Sequence, residues 1–126
     1  MTTVVGIGAD IEHVRRFQPK KRIPYAPFLQ KIFTAGELAY CFSKKDPAQH
    51  LAARFAGKEA VVKALKSAGA KAIPSFDYKQ IEIIRDLATG PRVRLRTFSW
   101  KKGGVFITLS HTAQMALAVA IVTETT

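Results

Sequence analysis

Residues 51–65 read LAARFAGKEAVVKAL, and at about 100° per residue they form a helix with two contrasting strips. Leu51, Phe55 and Val62 make an apolar ridge, and Ala52, Ala56, Ala60 and Ala64 a stripe of small side chains beside it. Such a stripe lets another backbone pack closely. Glu59 and Lys63 fall between ridge and stripe, four residues apart and facing the same way. Two readings stay open for them. They are an exposed pair worth about 0.3–0.5 kcal/mol, or a functional pair beside the most apolar part of the helix, where an ionised group needs a specific partner.

Upstream, Asp46 followed by Pro47 supplies an N-cap and a first helical residue. Downstream, Gly69 is a stop, so the helix is expected to run to about Ala68. Thr34 and Glu37 have the spacing of a capping box, which predicts a short helix ending near Phe42. Residues 15–27, RRFQPKKRIPYAP, carry Pro19, Pro24 and Pro27 and read as loop or broken helix. At the N-terminal end, residues 4–8 are β-prone and contain Gly6 and Gly8. We expect a strand there, a tight exit, and a helix starting at Asp10 and Ile11.

From Phe76 onward the period changes. Ile81, Ile83, Val93 and Leu95 alternate with polar residues on either side of DLATGP, the pattern of a hairpin. Two further apolar runs, residues 105–109 and 115–122, flank SHTAQ. Helices in the first half and a mostly antiparallel sheet in the second predict one α+β domain spanning residues 1–126, with the helices packed on the sheet.

The 126 residues are 48% hydrophobic and 23% charged, a balance that excludes disordered and fibrous classes. Cys41 is alone, so internal disulfides and zinc clusters are excluded and a cytoplasmic setting is expected. The first residues lack the basic-then-apolar order of a signal peptide. No apolar run reaches the roughly 18 residues of a membrane span, so no membrane role is expected. Twenty Lys and Arg against nine Asp and Glu give +11. That charge attracts nucleic acid, an anionic membrane face, a phosphate-rich ligand or an acidic protein, and does not choose among them.

Candidate chemistry is sparse. Asp10, after the two glycines, is a helix N-cap or, with Glu59, an oxygen ligand for a hard cation such as Mg. His111, between Ser110 and Thr112, sits in an ordinary turn or offers donors to phosphate. There is no P-loop, and GIGADI lacks the third glycine of a dinucleotide fingerprint.

Taken in order, GIGADIEHVRRF, FTAGE, RFAGKEAVVKAL and ITLSHTAQMALAVAIV resemble the holo-acyl-carrier-protein synthase family of phosphopantetheinyl transferases. The first and third segments are the specific pair. The resemblance covers nearly the whole chain and implies an enzyme that moves 4′-phosphopantetheine from coenzyme A to a serine of apo acyl carrier protein, releasing adenosine 3′,5′-bisphosphate. By it, Asp10 and Glu59 hold Mg on the diphosphate of coenzyme A. Glu59, or a Mg-bound water, takes the serine proton, and Lys63 stabilises charge on the departing group. Arg54, Lys58 and His111 are implied as phosphate contacts. Arg15, Arg16, Lys20, Lys21 and Arg22 are implied as the dock for the acidic carrier, which would account for much of the charge. The family forms homotrimers with sites between subunits, and the alanine stripe suits such a contact.

The chain also departs from the family pattern. Lys66 stands where relatives carry glycine, glycine directly precedes Pro91, and only RTFSWKKGG lies between Leu95 and Val105. Two rival readings are a family member that has lost its activity and a nonenzymatic nucleic-acid binder using Trp100, Lys101 and Lys102. The family motifs outweigh the second, and nucleic acid is not the expected partner.

Overall fold

In the computed structural model, residues 1–18, 26–70 and 77–126 are described. Strand β1 (Thr2–His13) leads into a 3₁₀ turn (Val14–Phe17). Helices α1 (Ala26–Ile32), α2 (Ala35–Phe42) and α3 (Pro47–Ser67) follow. A second 3₁₀ turn (Tyr78–Gln80) precedes β2 (Ile81–Asp86), β3 (Gly90–Leu95), β4 (Val105–His111) and β5 (Met115–Thr125). One antiparallel sheet has the order β1-β5-β4, and β2-β3 is a separate hairpin. Helices pack on antiparallel sheets, the α+β arrangement expected. Phe76, Pro19 and Pro24 lie outside the described residues.

The start of the chain corrects the sequence reading. No helix begins at Asp10, because β1 continues through it, pairing Asp10 with Ala118, Glu12 with Ala116 and His13 with Met115. Gly6 and Gly8 are not an exit either. They sit mid-strand where α3 crosses, and a Cβ on Gly6 would run into the carbonyl oxygen of Ala64, one on Gly8 into that of Ala60. Ala60 and Ala64 are fully buried, as are Ala118 and Ala120 on β5. The alanine stripe is therefore consumed inside the chain, against its own strands, and does not mark a contact between subunits.

The local helix signals hold. Glu37 N–H donates to Thr34 Oγ1 (3.2 Å) and Thr34 N–H to Glu37 Oε1 (2.9 Å), completing the capping box. Asp46 caps α3 by position, without a side-chain bond, and Pro47 opens it. At the other end Gly69 adopts φ +80°, and its N–H reaches Lys66 O while Ala70 N–H reaches Leu65 O. That is a Schellman stop, which needs a left-handed residue at this point.

Two clusters of buried side chains flank α3. One gathers Phe17, Phe33, Cys41, Leu51 and Phe55; the other gathers Val61, Leu65, Ile81, Ile83 and Val122. Burial pushes the Cys41 thiol up to about 12. The opposite face of the β1-β5-β4 sheet is apolar and uncovered. Ile7 and Phe106 both align with Ile121, Ile11 aligns with Leu117, and Ile7, Ile11 and Phe106 are 63%, 60% and 55% exposed.

Candidate active site

Alternation along β1 turns Gly6, Gly8, Asp10 and Glu12 toward α3. Lys63, from α3, donates to Asp10 Oδ1 (3.1 Å) and to Ala9 O (3.0 Å). Asp10 Oδ2 is buried and receives no hydrogen bond. Glu12 stands beside it, its carboxyl pushed up to about 7 by burial first and then by the neighbouring Asp10. Arg16, 2.9 Å from Glu12 Oε1, opposes that rise. On the other side, burial and then a hydrogen bond with Glu59 push the Tyr78 phenol up to about 12, and the charge of Glu12 adds to the rise. Strand β1, helix α3 and the turn before β2 thus bring Asp10, Glu12, Glu59, Lys63 and Tyr78 together.

Among the described residues no three His, Cys, Asp or Glu side chains form a metal cage by themselves. A hard cation that keeps water and takes substrate oxygens does not need one. The buried Oδ2 of Asp10 has no donor beside it other than the Glu12 carboxyl when that is protonated, so Asp10 fits such a site, and Glu59 is the candidate for a second carboxylate.

A cavity of about 330 Å³ opens beside α3, lined by Tyr40, His50, Arg54, Arg85, Leu109 and His111. Arg54 lies 4.0 Å over the Tyr40 ring, and Arg85 Nη1 donates to Tyr40 Oη (3.0 Å). His50 and His111 pack edge to face at 5.3 Å. Burial would raise the Tyr40 phenol, yet the Arg85 hydrogen bond and the charges of Arg54, Lys44 and Arg85 bring it below its ordinary value. Burial lowers His50, with His111, Arg54 and Lys44 acting the same way. The cavity is cationic, a setting for phosphate.

The expected site residues separate accordingly. Asp10 and Lys63 meet at the β1–α3 crossing, Lys63 pairing with Asp10 and not with Glu59, while Glu59 stands beside Tyr78. Arg54 and His111 share the cavity. Lys58 is a correction. It is fully buried, and its ammonium donates to Glu37 Oε1 (2.7 Å), Tyr78 O (3.0 Å) and Ile81 O. An ammonium has three protons and all are taken, so Lys58 is no phosphate contact. Arg15 and Arg16 are exposed, Arg16 lying 4.9 Å over the Phe55 ring as well as pairing with Glu12. Lys20, Lys21 and Arg22 fall outside the described residues. Trp100 donates its indole N–H to Thr123 O (2.8 Å), which anchors its loop.

Sequence reading passed over Glu12, Tyr40, Tyr78, Arg85 and the role of His50 in the cavity. Only Glu12 carried a signal. Two residues after Asp10, it shares a face with it once the segment is read as a strand.

The sequence matches the 4′-phosphopantetheinyl transferase superfamily over residues 6–121. A holo-[acyl-carrier-protein] synthase of Thermodesulfovibrio yellowstonii is 38% identical over 120 residues, covering 95% of this chain and 99% of the relative. The structure of the acyl carrier protein synthase of Mycobacterium tuberculosis superposes with a TM-score of 0.67 at 31% identity, covering 94% of this chain and 96% of the other. That of the Helicobacter pylori holo-[acyl-carrier-protein] synthase, a complex with coenzyme A, gives 0.72 at 25% identity, covering 92% and 99%. With motifs, fold and site geometry in agreement, this chain belongs to the 4′-phosphopantetheinyl transferase superfamily.

Proposed function

We propose that the protein is a Mg-dependent holo-[acyl-carrier-protein] synthase, an enzyme that transfers 4′-phosphopantetheine from coenzyme A to a serine of an apo acyl carrier protein. The observation that carries this reading is Asp10, held by Lys63 at 3.1 Å while its other oxygen is buried and unpaired. Asp10 and Glu59 would hold Mg, which supplies charge neutralisation at the diphosphate. The serine Oγ bonds to the β-phosphorus as the bond from that phosphorus to the bridging oxygen breaks, and adenosine 3′,5′-bisphosphate leaves. Glu59, directly or through a bound water, would accept the serine proton. Lys63 offers an ammonium to the leaving phosphate. Arg54 and His111, from the cationic cavity, bind the remaining phosphate of coenzyme A.

The uncovered apolar face of the β1-β5-β4 sheet supports a homotrimer with sites between subunits, since a contiguous exposed apolar face is usual at an interface. Exposed Arg15 and Arg16 support docking of the acidic carrier beside the site, with Lys20, Lys21 and Arg22 continuing the basic run. The lone, buried Cys41 suits the cytoplasm, and no helix among the described residues is long and apolar enough to cross a membrane.

The test is one incubation of the protein with coenzyme A, Mg and an apo carrier protein, followed by intact mass. Addition of phosphopantetheine to the carrier, abolished by chelation, is expected. An unmodified carrier in the presence of folded protein refutes the reading.

A further inference from the structure

We propose that Tyr40 is a positioning residue, whose ring holds Arg54 and whose hydroxyl holds Arg85 at the spacing that grips the 3′-phosphate monoester of the coenzyme A nucleotide. The proposal deepens the coenzyme A reading and rests on it for the identity of the nucleotide.

The cations around Tyr40 come from separate elements. Arg54 is on α3 at 4.0 Å from the ring centre, Arg85 on β2 at 6.0 Å, and Lys44 just beyond α2 at 4.8 Å. None of them makes an ion pair among the described residues. Arg54 is 4% exposed, and its buried Nε has no hydrogen-bond partner. Like charges crowded without a carboxylate repel each other, and a buried cation without a partner is costly. Here the Tyr40 ring gives Arg54 a face to lie on, and the Tyr40 hydroxyl accepts from Arg85 at 3.0 Å. His50 stands edge-on to the same ring at 5.9 Å and next to His111.

The result is a set of cations held in fixed directions along one wall of a cavity of about 330 Å³, with their charge left uncompensated. A doubly charged phosphate monoester supplies the missing charge and accepts from guanidinium groups in the geometry they favour. The ring does not touch the phosphate in this scheme. It fixes the donors that do, so its removal costs binding and spares the chemistry, which occurs at Asp10, Glu59 and Lys63.

The experiment uses the whole protein with Tyr40→Phe and Tyr40→Leu. Adenosine 3′,5′-bisphosphate and 5′-AMP are titrated calorimetrically, and transfer is measured with coenzyme A and with dephospho-coenzyme A. Losing the ring is expected to weaken bisphosphate binding about thirtyfold in Tyr40→Leu, the size of a desolvated cation–π contact. Tyr40→Phe keeps the ring and loses one hydrogen bond, so about threefold is expected. Binding of 5′-AMP and the KM for dephospho-coenzyme A should stay within about twofold of the parent, and kcat with coenzyme A likewise. Equal losses toward both nucleotides, a fall in kcat at constant KM, or no loss in either variant overturns the proposal. If Tyr40→Leu fails to fold, Tyr40→Phe decides by the same comparison of the two nucleotides. A parent that binds the bisphosphate but transfers nothing refutes the synthase reading while leaving the Tyr40 comparison intact. A parent that binds neither nucleotide refutes both.

Discussion

Lys58 Nζ lies 2.7 Å from Glu37 Oε1, and both side chains are wholly shielded from solvent. Glu37 also accepts from Ile83 N–H (2.8 Å) and closes the capping box of α2, so one ion pair ties α2, α3 and the β2-β3 hairpin. Burial lowers the Lys58 ammonium, and the charge and hydrogen bond of Glu37 oppose that. Removing one partner leaves the other buried and unpaired. Lys58→Met should therefore lose about 3–5 kcal/mol, seen as a lower urea midpoint with the slope unchanged.

Gly8→Ala should destabilise by about 1–3 kcal/mol, the range for overpacking. Its Cβ meets Ala64 N at 2.7 Å and Lys63 Cβ at 2.9 Å, so β1 and α3 must part. Transfer should fall further than stability alone explains, because the Lys63–Asp10 contact bridges the same two elements. Gly69→Ala is the control. There the new Cβ has open space, and only the φ of +80° is penalised, at about 1–2 kcal/mol. Calorimetric melting and a transfer assay on the two variants check the contrast.

Glu59→Gln keeps the size of the side chain and removes its charge. Loss of a general base typically slows a reaction on the order of 10²–10⁴-fold, and chelation should mimic the variant. Melting should hardly change, since Glu59 is only part-buried. Transfer at the parent rate would remove Glu59 from the mechanism.

Phe106→Glu and Ile7→Lys each put a charge on the uncovered sheet face, where Phe106 and Ile7 both align with Ile121. The parent is expected to scatter light as a trimer and the variants as monomers, with transfer lost in proportion. A monomeric, fully active parent would reject the assembly.

Acid should weaken the fold through His50. Burial, with His111, Arg54 and Lys44, lowers its folded value, while Asp46 partly opposes this. Between that value and the ordinary one of about 6.5, the unfolded chain binds a proton that the folded chain refuses. This contribution to stability therefore falls as pH drops through the window and is flat above it. Urea midpoints at pH 8 and pH 5, compared between the parent and His50→Gln, should show a smaller acid loss in the variant.

Much of the helical half was legible because its signals are local. Thr34 with Glu37, Asp46 with Pro47, and Gly69 each act within a turn of their own helix. The hairpin was legible from the alternation of Ile81, Ile83, Val93 and Leu95. Strand β1 was misread beyond Gly8 because its partner, β5, lies at the other end of the chain, and glycine on the inward face weakens the period-two signal. Lys58 was misread for a related reason. A lysine in a helix is ordinarily at the surface, and nothing near it in sequence reveals that Glu37, Tyr78 and Ile81 surround its ammonium. The cavity was half seen, since Arg54 and His111 came with the family motifs, whereas Tyr40, His50 and Arg85 have no shared spacing that sequence could register.

The thiol of Cys41, sealed in the core and protonated up to about 12, turns the protein into its own stopwatch. A thiol reagent attacks only an exposed thiolate, so at neutral pH it must wait for α2 to lift away, and the pace of labelling counts those openings. The charge of Arg54 reaches this sulfur, and Arg54 lines the cavity. A nucleotide that clamps Arg54 should slow the ticking, which makes the single cysteine a built-in gauge of occupancy, readable by mass without attaching a probe.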